Sequence, residues 1–431
     1  MRVGLAQVNP TVGDLVGNVA AIVREYAQAV TAGCDIVAFP ELSITGYPPE
    51  DLVLKPGFLA DNMRALNSVV EVTGNCMAVI GFVDSVAVQV DGGEERILFN
   101  AAAVAQNGKI LGVYRKQLLP NYSVFDEERY FTPGPSIQDI FTCNGIPFAV
   151  SICEDLWVGD PTEQQAQQGA KLCISINGSP FHRNKPTQRD DLVSSRAQSN
   201  GVVVAYVNQI GGQDELVFDG GSLVADARGV IQARAAAFAE DLLVCDVNAQ
   251  GDVVCVSPQH EVERASSELE RVHAALVLGT RDYVKKNGFT DVVIGLSGGI
   301  DSALVAAIAV EALGAEHVHG VSMPSRYSSD GSKDDALALA QNLNIPYQSV
   351  PIEPAFAAYL SMLEEGFAGK AEDLTEENLQ SRVRGMILMA LSNKHGWMVL
   401  TTGNKSELAV GYFTLYGDSV GGFGIIKDVL K

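Results

Sequence analysis

Residues 292–302 read Val-Val-Ile-Gly-Leu-Ser-Gly-Gly-Ile-Asp-Ser: an apolar β-branched run, a turn built on adjacent glycines, and the start of a helical pattern over Ser302–Leu313. A strand that passes straight into a helix is the first half of a crossover unit, whose next strand must lie parallel. The sequence repeats the arrangement. Val318–Met323 reads as a strand and Asp334–Asn342 as a helix. Tyr347–Ile352 reads as a strand before two helical stretches, and Met398–Thr401 as a strand entering another helix. This alternation predicts a parallel sheet with helices on both faces, which binds ligands beyond the carboxyl ends of its strands.

Before this region the pattern is denser in strands: Val3–Val8, Ile36–Phe39, Met77–Phe82, Asn100–Ala105, Phe148–Ile152, Leu172–Ile176, Val202–Asn208 and Ser222–Ala225, with a helix over Asn18–Ala32 and an Asn-Gly hairpin turn at 107–109. So many strands suit a layered α/β sandwich rather than one open sheet. The expected division is residues 1–255, a helical connector over 256–270, and 271–431. The chain has 431 residues, 47% of them hydrophobic and 19% charged, a globular composition. Its net charge of −22 repels phosphate backbones, so a nucleic-acid partner is not expected. No apolar run approaches membrane-helix length, and the opening residues read as a strand rather than a leader, so no membrane partner is expected. Seven cysteines without a CxxC pair, and six histidines without HExxH spacing, argue against a disulfide framework or zinc centre; a reducing cytoplasm is the expected compartment.

The loop Ser297-Gly-Gly-Ile-Asp-Ser302 is neither a GxxxxGK[ST] phosphate loop nor a GxGxxG fingerprint. Gly298 and Gly299 allow a close backbone approach. The helix-start N–H groups, with the Ser297 and Ser302 hydroxyls, suit an anion. Asp301 is out of place in a purely anionic cradle unless it holds a cation. Glu407 begins a helix after the strand Met398–Thr401, at an equivalent sheet edge, so the two carboxylates can share Mg²⁺. Asn378 and Arg382 lie four apart on one helix face and can reach one ligand together. Taken alone, Arg382 and Arg384 read as a solvated helix face and Met323 as core.

The string SGGIDS resembles the pyrophosphate loop of the ATP-pyrophosphatase superfamily. MPSRYSSD at 323–330, ENLQSRVRGMILMALSNK at 377–394, TTGNKSELAVGY at 401–412 and YGDSVGGF at 416–423 are similar to NAD synthetase motifs. The resemblance implies ATP contacts at Gly295, Ser297, Gly298, Gly299, Asp301, Ser302, Met323 and Thr402. It implies deamido-NAD contacts at Asn378, Arg382, Glu407 and Lys431, and Mg²⁺ ligands at Asp301 and Glu407.

Three strings in the first half carry a different chemistry: FPELSITGYPPEDL at 39–52, YRKQLLPNYSVFDEERYF at 114–131 and SICEDLW at 151–157. Glu41 follows a strand and a proline, Lys116 lies near a strand end and Cys153 ends a strand, so each is expected to project from a sheet edge into one cleft. A thiol attacks an amide as thiolate; a glutamate can take its proton and pass it to departing ammonia. A lysine ammonium, with the Glu154 N–H, can steady the oxyanion. No histidine lies beside these strings, and position 2 is not cysteine, which excludes the glutaminases with an amino-terminal cysteine. The strings resemble the nitrilase superfamily, whose Glu–Lys–Cys triad falls on Glu41, Lys116 and Cys153. The resemblance extends to glutamine contacts at Tyr122, Glu127, Ser179 and Lys185. Cysteines 34, 76, 143, 173, 245 and 255 read as small core hydrophobes.

The expected fold class is therefore α/β, with an N-terminal α-β-β-α nitrilase-like sandwich and a C-terminal parallel-sheet α/β pyrophosphate-loop domain. The domain order resembles that of glutamine-dependent NAD synthetases. That implies glutamine hydrolysis to ammonia, adenylylation of deamido-NAD by ATP, and amidation to NAD, commonly within a homo-oligomer. The alternatives are a stand-alone carbon–nitrogen hydrolase with a decayed second domain and a catalytically silent nucleotide-binding scaffold. Against the resembling synthetases the chain stops early, with Leu430 at a usual proline and Lys431 at a phosphate-proximal lysine. The expectation from this is an incomplete second domain that binds ATP weakly and makes little NAD.

Overall fold

The computed structural model describes residues 1–90, 93–158, 161–256 and 267–431. Met1–Arg271 and Val272–Lys431 form two compact units. The helical connector expected over 256–270 falls mostly outside the described residues; the described helix Glu268–Lys286 begins at its end.

The first unit contains two large sheets. One runs, in spatial order, Val253–Cys255, Asp241–Val247, Arg2–Gln7, Ile36–Ala38, Met77–Val90, Gly93–Gln106 and Lys109–Arg115. The other runs Ile231–Arg234, Leu223–Ala225, Val203–Asn208, Leu172–Asn177, Ile146–Ile152 and Phe141–Cys143. Strand periodicity sets the layers. Along the first strand Val3 and Leu5 enter the core between the sheets with Ile36, Val79, Val150, Ile152 and Ile174, whereas Ala6 and Val8 face the other way. That outer face is covered by the helices Leu15–Thr31 and Pro56–Glu71 through Ile22, Tyr26, Leu66 and Val69. The helix Lys185–Asn200 covers the outer face of the second sheet through Val193 and Ala197. The result is the expected α-β-β-α sandwich. Asn107 and Gly108, both at positive φ, form the expected hairpin turn. The adjacent hairpin is longer than its apolar pattern suggests: Met77–Val90 and Gly93–Gln106 stay paired beyond the buried Val83 and Leu98, out to Val90 and Gly93.

In the second unit five strands, all parallel, lie in the order Tyr347–Ser349, Val318–Ser322, Val292–Gly295, Met398–Thr401 and Phe423–Gly424. The central strand is apolar on both faces. Val292 and Ile294 pack with Val305, Ile308 and Ala340 of the helices Ile300–Leu313 and Asp330–Leu343. Val293 packs on the other face with Ile352, which precedes the helix Glu353–Phe367, and with Val383 of the helix Leu374–His395. The chain goes from Val292–Gly295 to Val318–Ser322 on one side, and Met398–Thr401 lies on the other. The strand order thus reverses here, opening a crevice at the carboxyl ends of Val292–Gly295 and Met398–Thr401. Among the described residues no helix is long and apolar enough to cross a membrane.

Candidate active sites

In the first unit Glu41 follows the strand Ile36–Ala38, Lys116 directly follows the strand Lys109–Arg115, and Cys153 directly follows the strand Ile146–Ile152. All three are buried. Lys116 Nζ donates to Glu41 Oε1 at 2.7 Å and to Glu127 Oε1 and Oε2 at 2.8 and 2.9 Å. Glu41 Oε1 also accepts from Asn100 Nδ2 at 2.7 Å, and Oε2 from the Gly178 N–H at 2.8 Å. Three donors fix the Glu41 carboxylate, two on Oε1 and one on Oε2, so Oε2 is the oxygen with spare capacity for a thiol proton.

The electrostatics follow from burial. Burial alone would depress the Lys116 ammonium, but the Glu127 and Glu41 carboxylates more than reverse it and hold its pKa well above the usual range. Burial pushes Glu127 up to about 7, against the pull of Lys116. Burial, reinforced by Glu41, raises the Cys153 thiol well above its ordinary value, while Lys116 and Lys185 pull it down. Burial therefore favours the Cys153 thiol over its thiolate. Cys153 has φ 42°, a conformation that costs a non-glycine residue about 1–3 kcal/mol and lifts it out of the line of its strand.

The four residues expected to hold glutamine are distributed around this cluster. Glu127 bonds Lys116 and accepts from Tyr47 Oη at 2.9 Å. Tyr122 is more than half exposed, with its hydroxyl 3.1 Å from Glu154 Oε2. Ser179 is buried, and its N–H donates to Asn208 Oδ1 at 2.9 Å. Lys185 Nζ lies 3.6 Å from the centre of the Trp157 ring, and burial lowers its pKa. Sequence reasoning missed Tyr47, Asn100 and Asp155. Tyr47 and Asp155 lie inside the quoted strings, whereas Asn100 stands in a strand with no motif around it.

In the second unit two cavities of about 420 and 440 Å³ meet at the crevice and share Ser297, Thr401, Thr402 and Asp418. The first is lined by Gly295, Met323, Lys333 and Arg384 among others, the second by Asp301, Ser302, Glu407 and Tyr412 among others. Met323 both packs in the core and lines the first cavity. The two arginines expected on one solvated face separate. Arg384 is half-buried, donates from Nε to the Met323 carbonyl at 3.0 Å and lines the first cavity. Arg382 is exposed and donates to the Leu415 carbonyl at 3.1 Å. Asn378 accepts from Thr414 Oγ1 at 2.9 Å. Asn378 and Arg382 thus tie down the segment after Tyr412, and neither lines these two cavities.

The loop is closed by its serines. Ser302 Oγ lies 3.2 Å from Ser297 Oγ, and the Gly299 N–H donates to Ser297 Oγ at 3.2 Å. Asn404 and Glu407 form a reciprocal cap on the helix Lys405–Val410, and Asn404 Nδ2 is 3.4 Å from Asp301 Oδ1. Lys431 Nζ sits between Asp301 Oδ2 at 3.0 Å and Glu407 Oε1 at 3.2 Å. The two carboxylates therefore converge on one cation-sized position.

Gly298 is the glycine this loop cannot replace. Its φ is +80°, and an added Cβ would stand 2.5 Å from the Ser332 carbonyl oxygen. Gly298→Ala should displace the loop or the start of the helix Asp330–Leu343, at a cost of about 1–3 kcal/mol. The Gly298→Ala protein should unfold at a lower temperature than the wild type, with the loss confined to the second unit; thermal unfolding checks this.

Residues 2–251 match the carbon-nitrogen hydrolase family and residues 272–431 the NAD synthase family. The chain is 45% identical to a glutamine-dependent NAD(+) synthetase of Thermotoga maritima and 46% identical to one of Xylella fastidiosa. Both alignments cover the whole chain, and 79% and 78% of those proteins. It superposes on the glutamine-dependent NAD+ synthetase of Acinetobacter baumannii, solved in complex with ADP, with a TM-score of 0.93 at 42% identity, over the whole chain and 80% of that structure.

Proposed function

This chain belongs to the family of glutamine-dependent NAD(+) synthetases, and from that premise we propose a division of labour between residues 1–255 and 271–431. The observation that carries it is the presence of two unlike sites in one chain: a buried Glu–Lys–Cys cluster and a sheet-edge crevice behind an SGGIDS loop.

In the first site Cys153 attacks the side-chain amide carbon of glutamine. Glu41 takes the thiol proton and returns it to the departing ammonia. Lys116 and the Glu154 N–H stabilise the oxyanion. Water, activated by Glu41, then cleaves the thioester to release glutamate. Tyr122, Glu127, Ser179 and Lys185 hold the substrate or the groups around it. In the second site the nicotinate carboxylate of deamido-NAD attacks the α-phosphorus of ATP and displaces pyrophosphate; ammonia then displaces AMP to give NAD. Ser297, Gly298, Gly299 and Ser302 cradle phosphate, Gly295, Met323 and Thr402 line the nucleotide, and Asn378, Arg382, Glu407 and Lys431 serve the dinucleotide.

Asp301 and Glu407 fit a hard divalent cation, since both already face the Lys431 ammonium from within 3.2 Å and offer oxygen ligands. Bound there, Mg²⁺ would neutralise triphosphate charge. A cytoplasmic homo-oligomer completes the reading; the seven cysteines, which form no CxxC pair, support the reducing compartment. The direct test supplies the full chain with deamido-NAD, MgATP and either glutamine or ammonium, and follows NAD and AMP. NAD and AMP appearing in equal amounts with either nitrogen source support the proposal. Glutamate release without NAD formation from either source would favour a hydrolase alone.

A further inference from the structure

The nucleophile and the lysine that must meet the same oxyanion stand on different sheets of the sandwich. Cys153 directly follows a strand of the six-stranded sheet and Lys116 a strand of the seven-stranded one. Nothing in either ladder fixes their separation, so contacts between the sheets must. One is made by Glu41 itself, through Gly178 at the end of the strand Leu172–Asn177. Another is made by Asp155, which takes no part in the chemistry described above.

Asp155 is fully buried, two residues beyond Cys153. Its Oδ1 accepts from the N–H groups of Gln117 at 3.0 Å and Leu118 at 2.8 Å, the two residues that follow Lys116. Its Oδ2 accepts from Tyr114 Oη at 2.9 Å, two residues before Lys116, and from the Ile152 N–H at 3.2 Å, immediately before Cys153. One carboxylate therefore grips the chain on both sides of the lysine and the chain leading into the cysteine. All four partners are donors, so the acceptor character of both oxygens matters, not only the side chain's shape.

We propose that Asp155 is a positioning residue for amide hydrolysis: it latches the Lys116 segment to the Cys153 turn, and so sets the ammonium against the thiolate and the oxyanion. The proposal rests on the Glu41–Lys116–Cys153 reading. Misplacing a catalytic group by about 1 Å costs roughly 10²-fold in rate, and a loosened lysine also leaves the thiolate less compensated.

Asp155→Asn keeps the shape but turns one acceptor into a donor facing donors. In the full chain, its kcat for glutamine hydrolysis should fall about 10²-fold with KM changed less than about threefold. The pH midpoint for iodoacetamide alkylation of Cys153 should move upward. A folded Asp155→Asn protein with the wild-type kcat and alkylation midpoint, or one that loses only thermal stability, would overturn the latch. If that variant does not fold, Tyr114→Phe removes one of the four donors. It should lower kcat about 3- to 10-fold, with a smaller upward move of the same midpoint, by the loss of one charge-assisted bond; no change in either would overturn the proposal. Cys153→Ala in the same assay separates the levels. If it retains glutaminase, the triad reading itself fails; if it is inactive while the Asp155 variant is normal, only the latch fails.

Discussion

Cys153→Ala should abolish glutamine hydrolysis, by on the order of 10⁴-fold or more, because no other group in the site can form the thioester. Glutamine-driven NAD formation should vanish with it. Ammonium-driven NAD formation should continue at the wild-type rate, since the described residues that line the two cavities at the crevice all belong to the second unit. Glu41→Gln and Lys116→Ala should fail in the same half-reaction. The effect of Lys116→Ala has a second source: it leaves Glu41 and Glu127 buried together without the ammonium between them. Glutamate release by the Cys153→Ala protein would remove that residue from the nucleophile role.

Asp301→Asn and Glu407→Gln should each produce the opposite pattern. Glutamine hydrolysis remains, and NAD formation falls about 10²-fold or more from either nitrogen source, since charge stabilisation at a phosphoryl site supplies several kcal/mol and each 1.36 kcal/mol is tenfold. Glu407→Gln carries a further cost, because Glu407 also closes the reciprocal cap with Asn404, which reaches Asp301. Raising the magnesium concentration should partly restore Asp301→Asn if the loss is in affinity. Wild-type ammonium-driven rates in both variants would show that these carboxylates do not serve the nucleotide.

The sequence was most informative where backbone geometry and chemistry are specified by the same few residues. The Gly-Gly turn of SGGIDS announces a strand-to-helix junction, and the structure places it at the point where the strand order reverses. Glu41, Lys116 and Cys153 stand far apart in the chain, yet each directly follows an apolar run, so the strand pattern alone brings them to one end of the sheets. Asn100 was invisible for the converse reason: a single polar residue in a strand reads as a solvent-facing position, and only the fold shows it donating to Glu41 and, at 3.4 Å, to Glu127. Asp155 was hidden by its position beside the nucleophile in SICEDLW, where it reads as part of the motif rather than as a contact to the other sheet. Arg382 and Arg384, two residues apart on one helix, cannot be ranked by periodicity; the packing of the helix Leu374–His395 under Met323 separates them. The strands Asp241–Val247 and Val253–Cys255 went unread; the first extends the sheet antiparallel to Arg2–Gln7 from the far end of the unit, and the second pairs antiparallel with the first.

The central claim is that one chain makes ammonia at Cys153 and spends it at the crevice of the second unit. Isotopic tracing tests it most directly. The full chain is given deamido-NAD, MgATP and glutamine labelled with ¹⁵N only at the side-chain amide, and the NAD formed is examined by mass spectrometry. The account predicts one ¹⁵N in the carboxamide of each NAD, one AMP per NAD, and loss of the label with Cys153→Ala even when unlabelled ammonium restores synthesis. Labelled NAD from the Cys153→Ala protein, or wild-type NAD without the label, would contradict it.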